Sequence, residues 1–386
     1  MEYNPIVVPF QSSVEVGNEL KKIVTIREEL REKVKEEIRF SNPIVERDGF
    51  GIIYMNTINV LQGKAGSHKS RLMEILCSCI ISRKISEEYV GFNRYEINNS
   101  YTLLYVDTER NTKDQFPFAL QKIMKKAGFF TDKQPDNFDF ISMVDIAREN
   151  RLDVLKLYIE RLRTFSDGHI VLVLDVITDL VSNFNDPRES MKLIDYMNSL
   201  INTQNVTFLC IIHENPSSGD KARGHLGTEI MNKASLQIQI GFEKTKNNED
   251  TDLIKVKYLK TRVGKRPEPF HLVYSDTKKS LVIADGDYVD QMADKKKHVA
   301  YAENVIQRLL EILMKPMSRA ELIDDLTVFF SCSKNTVLER LGQINVNQMP
   351  IKDKEGTVYT LEKRKDGREI IYYLTNEKEK LELNIN

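Results

Sequence analysis

Gly63, Lys64, Ala65, Gly66, Ser67, His68, Lys69, Ser70 and Arg71 form a stretch whose residue types and spacing specify a chemistry. An apolar run at residues 58–61 leads into it, and a helical pattern starts near Arg71. A strand, a glycine-bearing loop and a helix in that order bind phosphate. The loop's backbone N–H groups and the positive helix N-terminus behind them point at the anion. Lys69 would reach the phosphate oxygens, and the Ser70 hydroxyl would ligate Mg²⁺. The stretch meets G-x-x-x-x-G-K-[ST] at every fixed position but one, because His68 stands where the second glycine belongs. A Cβ there crowds the close approach of backbone to phosphate. The ligand class this predicts is ATP with Mg²⁺.

Binding alone is not hydrolysis. Hydrolysis needs an ordered metal, a group that positions water, and positive charge on the leaving oxygens. Asp175 ends the most apolar run of the chain, residues 170–174, a suitable place for a carboxylate that orders the metal; the alternative is a strand-end Asp capping the next turn. Glu109 follows the apolar run 101–106 within Asp107-Thr108-Glu109, where a carboxylate would face the γ-phosphate and polarise water. Asp107 takes that role if the register is off by two. Another apolar run, 206–212, ends in His213-Glu214-Asn215. Further on, Lys260-Thr261-Arg262-Val263-Gly264 sits at the end of a predicted edge strand. A basic residue there could complete the site of a neighbouring copy, since a parallel sheet leaves one side of the γ-phosphate open. The alternative is a solvated strand end.

The elements that must position these residues follow from hydrophobic periodicity. From about residue 50 to 285 apolar runs alternate with helical stretches, the signature of a mostly parallel α/β sheet. The last runs, at 236–242, 253–259, 270–274 and 280–283, are short and close together and read as antiparallel additions. Ahead of this domain, in residues 1–49, Leu20, Ile23, Ile26, Leu30, Val34 and Ile38 recur three or four apart among charged residues, an amphipathic helix. That helix packs on its own domain or docks on a neighbouring subunit. A polar linker is expected at 286–298, then a small domain at 299–386 with three helical runs and two strands joined across Asp366-Gly367. Ser318 and Ser333 each precede a helical run and can cap it. Helix–helix–helix–hairpin is the order of a winged helix-turn-helix, with residues 334–342 as its recognition helix.

Two basic groups are candidates for nucleic acid. Lys221 and Arg223 lie in a loop rich in Gly and Ser, suited to single-strand phosphates or else an ordinary surface loop. Lys363, Arg364, Lys365 and Arg368 cluster at the hairpin tip, as a wing on duplex DNA would, though winged helices also bind protein. The 386-residue chain carries a formal net charge of −1, so such contacts must come from local patches. Hydrophobic content of 41% and charged content of 29% are those of a globular protein, and no apolar run approaches a membrane span. A cytoplasmic location is expected, with Cys77, Cys79, Cys210 and Cys332 reduced and structural.

On its phosphate loop and on the order of Glu109, Asp175, His213 and the Lys260–Arg262 element, the chain resembles the RecA-like ATPases. Within them it is similar to the hexameric helicases of the DnaB and plasmid RepA type, over about residues 50–285. The resemblance implies that Glu109 positions the attacking water and Asp175 serves the metal. It implies that His213 senses the γ-phosphate and couples it to DNA. It also implies that Lys260 and Arg262, in a K-x-R-x-G signature, reach the ATP of the adjacent subunit as an arginine finger. His68 departs from the pattern, and the N-terminal helical domain typical of DnaB is not evident. The expectation is a homo-oligomeric DNA-acting motor of a plasmid or mobile element, a hexameric ring. The other readings are an ATP-controlled DNA-binding regulator or mobilisation factor, and a recombinase-like filament.

Overall fold

A computed structural model describes residues 14–376, apart from 39, 97–99, 216–219, 245–249, 290–299, 331, 348 and 368. Most of the expected linker therefore lies outside the described residues, as does Arg368 of the hairpin tip. The chain divides into two compact units. One comprises residues 1–241, 255–270 and 275–282, and the other 242–254, 271–274 and 283–386.

The chain opens with helix α1 (Val14–Lys33) and strands β1 (Pro43–Arg47) and β2 (Phe50–Tyr54). It continues through β3 (Ile58–Gly63), α2 (Lys69–Ile81), β4 (Phe92–Arg94) and β5 (Tyr101–Asp107). Next come α3 (Gln115–Lys126), β6 (Phe138–Ser142), α4 (Arg148–Arg163), β7 (His169–Asp175) and α5 (Pro187–Gln204). Then follow β8 (Val206–His213), α6 (Gly224–Lys233), β9 (Leu236–Lys244), β10 (Asp250–Thr261), β11 (Phe270–Ser275) and β12 (Ser280–Ile283). The large sheet has the order β12-β11-β10-β9-β3-β8-β7-β5-β6. Its central strands β9, β3, β8, β7, β5 and β6 pair in parallel. β8 lies between β3 and β7, so the strand entering the phosphate loop and the strand ending in Asp175 are not neighbours. This is a mostly parallel α/β sheet. Its strands are continuous apolar runs because both faces are covered. The face carrying Leu104, Leu172 and Phe208 packs against Leu155, Leu193 and Ile230 of α4, α5 and α6.

Two features differ from the sequence reading. The run at 236–242 pairs parallel with β3, not antiparallel, because α6 supplies the crossover that a parallel return requires. A separate antiparallel sheet, β2-β1-β4, was not anticipated. Its first two strands turn through Asp48 and Gly49, both at positive φ, 52° and 79°. The amphipathic helix is present as α1, but Leu20, Ile23, Ile26 and Leu30, with Val34 and Ile38 beyond it, are 52–75% exposed. Its apolar stripe therefore contributes nothing to the core of the described residues. Cys77, Cys79 and Cys210 are buried, Cys332 is partly exposed, and none of the four is in a disulfide. Among the described residues no helix is long and apolar enough to cross a membrane.

The second unit carries α7 (Ala302–Ile312), β13 (Met317–Ser318), α8 (Arg319–Phe330) and α9 (Lys334–Val346). β14 (Ile351–Lys352), β15 (Val358–Asp366) and β16 (Glu369–Asn376) complete it. The strands form an antiparallel sheet of order β13-β16-β15-β14. Three helices and a hairpin thus occur in the expected order, around a core that includes Leu309, Leu326, Leu341 and Leu361. Ser318 caps α8 reciprocally with Glu321, each backbone N–H reaching the other's side-chain oxygen at 3.3 and 3.2 Å. Ser333 caps α9 by accepting the Thr336 N–H at 3.1 Å.

Candidate functional site

Register brings the chemistry together. In the parallel ladders Gly63 lies beside His213, and Asp107 beside Asp175, so four strand ends meet at the carboxyl edge of the sheet. Ligands in open α/β sheets bind at that edge. The loop after β3 turns tightly there. A Cβ at Gly63 would collide with the Ile240 carbonyl and Ser67 Oγ, and Gly66 has φ +76°. His68 sits in the left-handed region, φ 66° and ψ 21°, directly before α2. That conformation costs a non-glycine residue roughly 1–2 kcal/mol, which explains why a glycine is usual there. Burial and the neighbouring Arg71 push its imidazole pKa down to about 4, so it is neutral at physiological pH.

The loop and the first turn of α2 line a cleft of about 420 Å³ with Glu109, Arg110, Gln115, Phe118 and His213. Lys69 is buried, and its ammonium donates to the Lys64 carbonyl at 2.7 Å. Burial lowers its pKa, against the opposing charges of Asp175, Glu109 and Glu214. Ser67 Oγ is buried without a hydrogen-bond partner among the described residues. A buried ammonium and an unpaired hydroxyl inside a loop at a helix N-terminus fit a phosphate group. Ser70 Oγ donates to Asp175 Oδ1 at 3.2 Å, a pair that fits a hydrated Mg²⁺.

Glu109 is half-exposed in the cleft, with His213 Nε2 at 3.5 Å from its Oε1. The hydrogen bond from His213 holds its carboxyl below the usual range despite partial burial, so it is ionised at neutral pH. Asp107, the alternative to Glu109, is fully buried. It accepts from the Glu109 and Arg110 N–H groups at 3.1 and 2.7 Å and from Arg110 Nε at 2.6 Å. Burial pushes Asp175 up to about 6, opposed by Arg110, Tyr105 and Ser70.

The structure thus gathers Gly63–Arg71, Glu109, Asp175 and His213 around one cleft. It does not bring the other candidates there. Lys260 Nζ donates to the Met231 and Asn232 carbonyls at 2.7 and 3.1 Å, and Arg262 Nη2 to the Asn232 carbonyl at 2.6 Å. Both cap the C-terminus of α6 within their own chain, as cations favour. Lys221 and Arg223 are exposed on the far limb of a loop closed by a Glu214–Ala222 bridge, and Arg223 lies 5.1 Å from the Phe184 ring. Pro216, Ser217, Ser218 and Gly219 of that loop lie outside the described residues. Lys363, Arg364 and Lys365 are exposed on β15, in the other unit.

Sequence reasoning missed Arg110. Its guanidinium bonds Asp107, Glu74 Oε1 at 3.0 Å, Tyr105 OH at 2.8 Å and Asp175 Oδ2 at 3.0 Å. Burial alone would lower its pKa; the surrounding Tyr105, Asp175, Asp107 and Glu74 raise it instead. The buried Glu214 was missed too. It accepts from Gln62 Nε2 at 2.8 Å and from Gln239, joining the end of β3 to the base of the 215–223 loop. A charged residue two or three positions beyond an apolar strand was the available signal for Arg110.

No protein-family model matches the chain, and no curated protein sequence matches it. Among solved structures, the chain is similar to a KaiC-like protein from the hyperthermophilic archaeon Pyrococcus horikoshii OT3. The identity is 17%, the match covers 65% of this chain and 100% of that one, and the TM-score is 0.43.

Proposed function

We propose that the chain binds Mg·ATP in the cleft at the carboxyl edge of the sheet and hydrolyses it, as an oligomeric motor acting on DNA. The observation that carries the ATPase reading is the meeting of Lys69, Ser70, Asp175 and ionised Glu109 around one phosphate-sized loop. The loop amides and Lys69 bind the phosphates, and Ser70 and Asp175 hold the metal. Glu109 accepts a hydrogen bond from the attacking water, and His213 fixes the Glu109 carboxylate. Mg²⁺, when bound, neutralises charge that develops on the phosphate oxygens. The exposed Phe118 ring at the rim offers an apolar face to the base.

Lys260 and Arg262 complete this site in a neighbouring copy. Two observations support that part of the reading: both lie outside their own chain's cleft, and α1 leaves an apolar stripe uncovered that a second copy would bury. Arg262→Ala is expected to bind ATP within about threefold of the wild type and to lose about 10³-fold in turnover, the scale of trans-acting arginines. Mixing it with Glu109→Gln protein should recover activity above the sum of the two, since some interfaces then pair an intact Glu109 with an intact Arg262. Mixtures with no such gain, by phosphate release, would remove the neighbour from the mechanism.

The DNA reading rests on the two basic groups, and the finer identity, a RepA-type replicative helicase of a plasmid or mobile element, rests on it in turn. Removing Lys363, Arg364, Lys365 and Arg368 should weaken duplex binding and flatten its salt dependence by about 0.9 in log–log slope per lost phosphate contact. Basal ATP hydrolysis should persist, because these residues belong to the other unit. Removing Lys221 and Arg223 should instead weaken single-strand binding. Anisotropy across a salt series measures both. Unchanged duplex affinity after all four wing substitutions would assign that domain to protein contacts, and a forked duplex left unopened with ATP would favour the regulator over the helicase.

A further inference from the structure

We propose that Arg110, with Tyr105, is a positioning residue that locks the Asp175 carboxylate so that one oxygen faces Ser70, the place where a divalent cation bound with ATP would sit. The inference deepens the nucleotide reading above and rests on it.

Asp175 is 2% exposed, and its two oxygens are used differently. Oδ2 accepts from Tyr105 OH at 2.7 Å and from Arg110 Nη2 at 3.0 Å. Oδ1 is left for Ser70 Oγ. Rotation about the Cβ–Cγ bond would break both bonds to Oδ2 together. Arg110 is itself held from three further sides. Its Nε meets Asp107 at the end of β5, its Nη2 also meets Tyr105, and its Nη1 meets Glu74 one turn along α2 from Ser70. Lys122 of α3 closes the far side of Glu74 at 2.6 Å. The guanidinium therefore ties the carboxylate to the helix that carries its hydroxyl partner, which fixes their separation. Asp175 also acts electrostatically on Lys69, and a carboxylate released by Arg110 and drawn to that ammonium would leave Ser70. A planar fork with several fixed donors does this, and a lysine ammonium does not. Groups that orient a metal-holding side chain typically contribute 10–100-fold to metal affinity or activity.

The test compares the full-length wild type with Arg110→Lys and Tyr105→Phe. ATP affinity is measured by calorimetry in EDTA and across a Mg²⁺ series, and Mn²⁺ binding with ATP by electron paramagnetic resonance. Arg110→Lys is expected to keep metal-free ATP affinity within about threefold and to need about tenfold more Mg²⁺ or Mn²⁺ for half-saturation. Its kcat should fall with KM nearly unchanged. Tyr105→Phe, which removes only a hydroxyl, should shift the metal requirement the same way by a smaller factor, and it carries the test if the lysine variant does not fold. A merely structural role would lower thermal stability and weaken ATP equally with and without metal. That result, or an unchanged metal requirement in both variants, overturns the assignment while leaving the nucleotide site standing. A wild type that binds no ATP overturns the site and this assignment together.

Discussion

Lys69→Ala is expected to lose ATP binding by about 30-fold to several thousand-fold. The ammonium is buried inside the loop and bonded in this structure to the Lys64 carbonyl. Among the residues lining the cleft, it is the cation seated inside the loop itself, so its loss leaves phosphate charge uncompensated at that point. Truncating one partner of a buried, hydrogen-bonded charge pair costs about 2–5 kcal/mol, and about 1.4 kcal/mol is a decade of affinity. The fold should survive, since an alanine is tolerated in the first turn of α2. Calorimetric titration with Mg·ATP, beside circular dichroism, measures both. Wild-type affinity in the variant would remove the loop from nucleotide binding.

Glu109→Gln separates binding from turnover. The substitution keeps shape and removes only the charge that polarises water, so ATP affinity should stay within about threefold and turnover fall by about 10²–10⁴. The His213 hydrogen bond holds the wild-type carboxyl below its ordinary value, so the ionised form persists as pH falls and is lost only below the usual carboxylate range. The part of the acid limb of turnover that belongs to Glu109 should accordingly lie low, and glutamine should abolish it. Equal loss of affinity and turnover would mean that Glu109 binds rather than activates.

Placement was readable where it is local in the chain. The phosphate loop is a matter of spacing over nine residues, and Asp175, Glu109 and His213 were located because each follows a run of apolar residues. The hairpin of β15 and β16 was legible from Asp366-Gly367, where Gly367 has φ +60°. Asp48-Gly49 gives the same turn signal, between Ile44-Val45 and Ile52-Ile53, and went unused because the strands are only five residues each. Arg110 was not legible, because its partners Glu74, Tyr105, Asp107 and Asp175 meet only once β5, β7 and α2 are in register. The direction of β9 was hidden for a related reason. A short strand after a short helix reads as a meander until α6 is seen to carry the chain back across the sheet. Lys260 and Arg262 were found as a basic pair, but the α6 carbonyls that hold them in their own chain lie about thirty residues earlier and give no local sign.

The most direct measurement is phosphate release from ATP by the purified wild-type chain, with and without Mg²⁺, beside Lys69→Ala and Glu109→Gln. The site described above predicts Mg²⁺-dependent release by the wild type, weakened binding and no release by Lys69→Ala, and binding without release by Glu109→Gln. Release that persists in Lys69→Ala, or a wild type that neither binds nor hydrolyses ATP with Mg²⁺, would contradict it.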